Sequence, residues 1–194
     1  MRLLRILDAA AVLCGLAVLS SLVYWWWRPE EIFLVLLGIL AVRFVVGPVP
    51  VLSLRPRRVV VAGIVLYAAL YSFITVTRHL TLLTHALDLG YYVQLTWNLA
   101  RGAGPYVSLP EMHAWGDHFS PILYLLVPLF RVAPGPVTLL VFQSAALALG
   151  ALAVFGIAAR RLGDERPAAV FAILYLLNPS LQSINVRDFH TAAL

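Results

Sequence analysis

Four stretches of this chain, at about 6 to 27, 32 to 54, 59 to 77 and 136 to 159, stay apolar for the roughly 20 residues that a helix needs to cross the hydrocarbon core of a bilayer. No water reaches backbone N–H and C=O groups there, so such runs are confined to helices that bond themselves. A fifth stretch, 167 to 186, is interrupted by Asn178 and Pro179 but is long enough to cross with a kink. Composition agrees. With 62% hydrophobic and 12% charged residues and a mean hydropathy of +0.90, the chain is more apolar than a water-soluble domain can cover with polar surface. The expected fold class is all-α, a polytopic transmembrane helical bundle.

The remaining composition excludes other classes. All fourteen basic residues are arginine, which reads as the codon bias of a GC-rich bacterial genome, and the net charge of +5 is spread over many loops. No nucleic-acid partner is implied. Cys14 is the single cysteine and lies in an apolar run, so neither a disulfide framework nor a thiolate zinc site can be built. The N-terminus has two arginines and an apolar stretch like a secretory signal, yet the run is long and no small-residue cleavage site follows it. "YWWWRPEE" reads instead as an interfacial aromatic belt, and the segment is expected to remain as a span.

The positive-inside rule orients the spans: Arg2 and Arg5 inside, "RPEE" outside, and Arg55, Arg57 and Arg58 inside, so that the third span exits near Arg78. The segment 120 to 136, "SPILYLLVPLFRVAPGP", has an apolar run of only about 13 residues containing Pro128, which suits an interfacial or re-entrant helix rather than a span. Residues 79 to 135 are then one extracytoplasmic loop with helices lying in the membrane surface. Arg160, Arg161 and Arg166 fall inside, and "RDFH" at 187 to 190 emerges on the loop's side. Residues 1 to 58 are expected as an N-terminal two-span hairpin and 59 to 194 as the start of the main membrane domain. The chain has no internal repeat or low-complexity linker. It stops at "DFHTAAL", before any further span, and a piece of a longer protein is expected.

Three polar constellations interrupt this pattern. In "THALDLGYYVQLTWNLARG", residues 84 to 102, Leu87, Tyr91, Leu95 and Leu99, together with Leu83 just before the stretch, recur at helical spacing opposite Gln94, Asn98 and Arg101, which predicts an amphipathic surface helix ended by Gly102. Asp88, with His85 at i−3 and Tyr92 at i+4, fits two readings. It is an N-cap for a helix starting at Leu89, or a carboxylate held at the headgroup plane as a general base or metal ligand.

"EMHAWGDHFSP" gathers Glu111, His113, Asp117 and His118, residue types that ligate a divalent cation or handle protons; a polar loop tip turning at Gly116 explains the same residues. In "NVRDFH", Asp188 and His190 face the same way if the segment is extended, at the mouth of a kinked span where polar residues often line a cavity. An interfacial cap with Arg187 near headgroup phosphates is the alternative. Arg43, inside the second span but near "GPVP", is expected to snorkel to the cytoplasmic face and is given no role.

Taken together, "DLGYYVQLTWNLARG", "HFSPILYLLVPLF", "LLVFQSAALALGALAVFGIAARRLGDERPA" and "LLNPSLQSINVRDFH" resemble the bacterial membrane-protein family called domain of unknown function 2079, over about residues 60 to 194. That family in turn looks like a member of the C-type membrane glycosyltransferase fold, whose enzymes use lipid-phosphate-linked sugars. The resemblance implies a large loop with extracytoplasmic juxtamembrane amphipathic helices and an essential aspartate soon after the first core span. Asp88 matches that position. A second acidic motif is implied near the end of a later span, and Asp188 is similar in placement, although this sequence reads Asp-Phe-His where many relatives have two acidic residues.

The implied activity is sugar transfer from a polyprenyl-phosphate donor to an extracytoplasmic acceptor, by single displacement at the anomeric carbon with Asp88 as base. Arg101 or Arg187 would hold the leaving phosphate. Tyr91, Tyr92 and Trp97 would offer a stacking wall, with Gln94 and Asn98 on the polar face. His118 or His190 would orient Asp88 or bind a cation, and Asp188 and His190 are the candidate ligands for a divalent metal. The implied setting is the bacterial inner membrane, with the N-terminus cytoplasmic and the site outside. A transporter or flippase is the rival class. It needs polar residues buried within several spans, where the sequence places Arg43 and Gln143 and little else. A non-catalytic membrane protein is the other rival, for which Asp88 is dispensable. Sugar, acceptor and oligomeric state are not legible.

Overall fold

The computed structural model describes residues 2–24, 29–47, 55–84, 86–109, 111–117, 119–191 and 194. Among them are eight α-helices and one two-stranded antiparallel sheet, in two compact units, Met1–Leu54 and Arg55–Leu194.

The first unit is a hairpin of α1 (Arg2–Tyr24) and α2 (Pro29–Val46). The expected spans at 6 to 27 and 32 to 54 run partly into residues outside the described ones. Arg43 has a partner that the sequence expectation did not name. Instead of only reaching for the surface, its Nε donates to Asp8 Oδ1 at 2.8 Å, and its Nη1 donates to Gly47 O at 3.4 Å. Two antiparallel helices bring the start of one beside the end of the other, so a carboxylate in the second turn of α1 meets a guanidinium in the last turn of α2.

The second unit is built on α3 (Pro56–Leu80), α6 (Pro136–Leu162) and α7 (Glu165–Leu176), each packed on the other two. On α3 the buried positions are Val60, Ile64, Tyr67, Tyr71, Ile74, Thr75 and Arg78, a single stripe at three-to-four spacing. α7 buries Ala168, Ala169 and Ala172, small residues that let backbones approach where lipid offers no hydrophobic drive to associate. Gly150 of α6 is required for that approach, because a Cβ there would land on the Tyr175 hydroxyl, which donates to Leu147 O at 3.0 Å. The opposite faces carry exposed Val65, Phe73, Leu149, Ile157, Phe171 and Leu174. Helices apolar all round belong in lipid. α3 and α6 are long and apolar enough to cross a membrane, and α7 with α8 (Pro179–Arg187), bent by 41°, makes a third if the pair is one span.

The bend lies where Asn178 and Pro179 interrupt the sequence. Asn178 Oδ1 accepts from Ser180 N at 2.9 Å and Pro179 occupies the first turn, so the break is a fresh helix start. α7 begins the same way, with Asp164 Oδ1 accepting from Arg166 N at 2.9 Å, after Gly163 ends α6 at φ 68°. Arg57 Nε bonds Glu165 Oε1 at 2.9 Å, which puts the arginine-rich stretches 55 to 58 and 160 to 166 at one end of the bundle. Residues 78 to 83 and 187 to 190 are therefore at the other.

Residues 79 to 135 fold as a compact segment on that second end. It comprises α4 (Ala86–Ala100), the hairpin β1 (Tyr106–Ser108) and β2 (Glu111–His113) paired Tyr106 to His113, a 3₁₀ turn at Pro121–Leu125, and α5 (Val127–Val132). α5 has six residues and the turn before it five, too short to cross hydrocarbon. Leu95, Val107, Ala114, Leu123, Leu126 and Phe130 share a core with Leu139 and Leu140 of α6 and with Phe189.

Candidate functional site

Asp88 stands in the first turn of α4, which begins at Ala86 and not at Leu89, so the N-cap reading does not hold. A carboxylate in that turn is favoured by the helix dipole and leaves its oxygens accessible. Its side chain is 52% exposed, and its Oδ2 lies 3.7 Å from His190 Nε2. The buried face of α4 is broader than the expected one. It includes Leu89, Tyr92 and Thr96 besides Tyr91, Leu95 and Leu99, while Leu87 is 73% exposed. The helix is enclosed on two sides, by the hairpin with α5 and by Phe189, so no single leucine stripe suffices. It ends as expected at Gly102, at φ 73°, where Gly102 N bonds Leu99 O at 3.2 Å and Ala103 N bonds Asn98 O at 2.9 Å.

Beyond α8 the chain is extended: Asp188 has φ −160° and ψ 174°. Phe189 is fully buried and meets the Tyr92 ring edge to face at 5.3 Å; the His190 ring meets Tyr92 at 5.6 Å. Tyr92 OH shares a 3.3 Å hydrogen bond with Thr191 Oγ1, which in turn lies 2.9 Å from Ser120 Oγ. Three separate segments thus meet beside Asp88. Gln143 of α6 holds the extended piece from below, with Nε2 donating to Asp188 O at 3.0 Å and Oε1 accepting from His190 N at 2.8 Å.

Among the other expected site residues, two on the polar face of α4 bond the hairpin. Gln94 clamps Ser108, its Nε2 donating to Ser108 Oγ at 3.0 Å and its Oε1 accepting from Ser108 N at 3.0 Å, and Asn98 Nδ2 donates to Tyr106 O at 2.7 Å. Both pin β1 to α4. Arg101 lies over the Trp97 ring at 4.9 Å, a cation–π contact between two residues expected to bind substrate. Arg187 is exposed at the end of α8, and His118 lies outside the described residues. Asp117 is near Tyr91, whose phenol is raised above its ordinary pKa first by burial and then by the charge of Asp117 and by Tyr92.

Gln143 bonds the backbone of both Asp188 and His190, but their side chains meet different charged groups. Asp188 is buried and its carboxylate acts on the guanidinium of Arg78, which also donates from Nη2 to Leu83 O at 3.1 Å, while His190 faces Asp88. Among the described residues no group of three carboxylate, imidazole or thiol side chains converges as a metal would require.

The sequence reading gave Arg78 no role beyond marking the exit of a span, passed over Ser144, and read Asn185 only as one of several polar residues at the mouth of a kinked span. Ser144 Oγ donates to Asn185 Oδ1 at 3.0 Å, and Asn185 Nδ2 donates to Tyr67 OH at 3.4 Å. These groups add to the few polar residues that the sequence reading placed within spans, and the periodic stripe Tyr67, Tyr71, Thr75, Arg78 is the signal that betrays them. They bond one another across three helices. A separate groove, lined by Arg57, Arg58, Val61, Ala62, Val65, Leu66 and Ala69, lies on the outer flank of α3 toward the opposite end and contains none of this chemistry.

A family model described as a predicted membrane protein, domain of unknown function 2079, matches residues 78–194. No curated protein and no solved structure matches the chain.

Proposed function

The chain belongs to the domain of unknown function 2079 family of membrane proteins, and we propose that it acts as a membrane glycosyltransferase, moving a sugar from a polyprenyl-phosphate donor to an extracytoplasmic acceptor. One observation carries this reading. The exposed Asp88 carboxylate stands within 3.7 Å of the His190 imidazole at the end of the bundle opposite the arginine clusters. A carboxylate accessible to an acceptor, beside a group that can take a proton onward, is the arrangement a general base needs.

In this reading the acceptor hydroxyl loses its proton to Asp88 as its oxygen forms a bond to the anomeric carbon. The bond from that carbon to the phosphate oxygen breaks, and the polyprenyl phosphate leaves with the electron pair. The proton passes from Asp88 to His190 or to water. The positive-inside pattern supports a reading in which this end faces outside the cell membrane, in a multi-pass protein with a cytoplasmic N-terminus. No step is routed through a metal, because the candidate ligands are divided between Arg78 and Asp88. The rival transport reading is weakened by the same buried polar groups that it requires. Tyr67, Asn185 and Ser144 bond each other rather than standing ready for a passing solute.

The test is release of polyprenyl phosphate from a panel of polyprenyl-phosphate hexoses and pentoses by the full chain in nanodiscs, comparing wild type with Asp88→Asn. Loss of a general base is expected to slow transfer by about 10²- to 10⁴-fold. Turnover by the wild type that Asp88→Asn leaves intact sinks the assignment of the base, and no turnover of any donor sinks the transferase.

A further inference from the structure

Gln143 has no exposed surface, and both ends of its amide are spent on one short backbone piece: Nε2 on Asp188 O at 3.0 Å and Oε1 on His190 N at 2.8 Å. A donor and an acceptor side by side on a side chain of this reach is what glutamine offers. An apolar side chain would fill the same space and leave a buried C=O and N–H unbonded. The two bonds straddle Phe189, whose buried ring is seated against Tyr92. Below, Ser144 fastens Asn185 of α8 to α6 at the adjacent position.

We propose that Gln143 is the positioning residue of the Asp88 and His190 pair: by bonding the backbone on both sides of Phe189, it sets where the His190 imidazole stands against the Asp88 carboxylate. The inference rests on the reading of that pair as the reactive end of the site. Phe189 fixes the depth of the segment and Gln143 its direction. Without the amide the segment keeps its apolar anchor and loses its register.

Two substitutions test this in the full chain in nanodiscs, with histidine labelled in ¹⁵N and the His190 signals identified by their loss in His190→Gln. Gln143→Leu removes both bonds. In Gln143→Glu a buried carboxyl favours its neutral form, whose hydroxyl donates to Asp188 O while its carbonyl accepts from His190 N–H; once ionised it has no donor. In Gln143→Leu the His190 amide is expected to exchange roughly tenfold faster or more, and its ring signal to move, with α3, α6 and α7 protected as before. Gln143→Glu is expected to match wild type at low pH and the leucine variant at high pH, reversibly in one preparation, which serves even if Gln143→Leu does not fold. A loss of protection that spreads through α3, α6 and α7, or a His190 ring signal that stays at its wild-type position both in Gln143→Leu and in Gln143→Glu once its carboxyl has ionised, overturns the proposal. These readouts use no sugar donor. Should they come out as expected while Asp88→Asn leaves transfer intact, the transferase reading fails and the positioning role stands.

Discussion

His190 Nε2 stands 3.7 Å from Asp88 Oδ2, so an imidazole from beyond the end of α8 meets a carboxylate from the first turn of α4. The separation exceeds a hydrogen bond, and both side chains are about half exposed, at 46% and 52%. Such a contact contributes at most about 1 kcal/mol to the fold. The pair can therefore be altered without unfolding the chain, which makes it informative. His190→Ala is expected to leave the melting temperature close to wild type and to slow sugar transfer about tenfold, a loss of about 1.4 kcal/mol in transition-state stabilisation. The loss is smaller than for Asp88→Asn because the base itself remains. An unchanged rate would remove His190 from the site.

Gln94 and Asn98 separate two accounts of the polar face of α4. Their side chains are committed to Ser108 and to Tyr106 O, so alanine at either position is expected to cost about 1 kcal/mol per lost bond. Amide exchange over β1 and β2 should then quicken several-fold while α6 and α7 stay protected. Variants that lose transfer with the hairpin as protected as in wild type would restore both residues to the substrate-binding role that the sequence suggests.

Tyr91 gives a pH test within the segment 79 to 135. Burial first, then Asp117 and Tyr92, hold its phenol above the ordinary value of about 10, and Tyr91 OH points at Ala114 O at 3.5 Å. The fold favours the neutral phenol. That contribution is complete below the unfolded pKa and is lost as pH rises from there through the raised folded value. Tyr91→Phe is expected to blunt alkaline destabilisation in this window, and Asp117→Asn to bring the Tyr91 titration, followed by ultraviolet difference absorbance, back toward the usual range. A Tyr91 that titrates like a free phenol would refute the burial argument.

What could be read from the chain depended on how local the signal was. Spans α3 and α6 and the break at Asn178 and Pro179 were legible because run length and helix-start residues are properties of neighbouring positions. The stop at Gly102 was legible for the same reason. The hairpin was not, since three-residue strands leave too few positions to display an alternation. The partners of Asp188 and His190 were not either. Two residues apart on one extended segment, they look like a pair, yet Arg78 claims one and Asp88 the other, from two different helices. The pairing of Arg43 with Asp8 was not legible either, because the two lie 35 positions apart on facing helices.

The proposed placement of the site outside the cell depends on α3 and α6 both crossing and on the 121 to 132 segment staying on one side. The bond from Arg57 to Glu165 already requires residues 55 to 58 and 160 to 166 to share an end. With Cys14 replaced by serine, single cysteines at the exposed positions Tyr106 and Arg187 are expected to react with a membrane-impermeant thiol reagent from outside, and cysteines at Arg58 and Arg161 only after permeabilisation. The reverse pattern would keep Asp88 and His190 together but turn the site to the cytoplasm, where an acceptor and donor would have to be sought instead. A split in which Tyr106 and Arg187 react from opposite sides would contradict the contact between α4 and the chain beyond α8, and with it the base, its histidine partner and the role of Gln143.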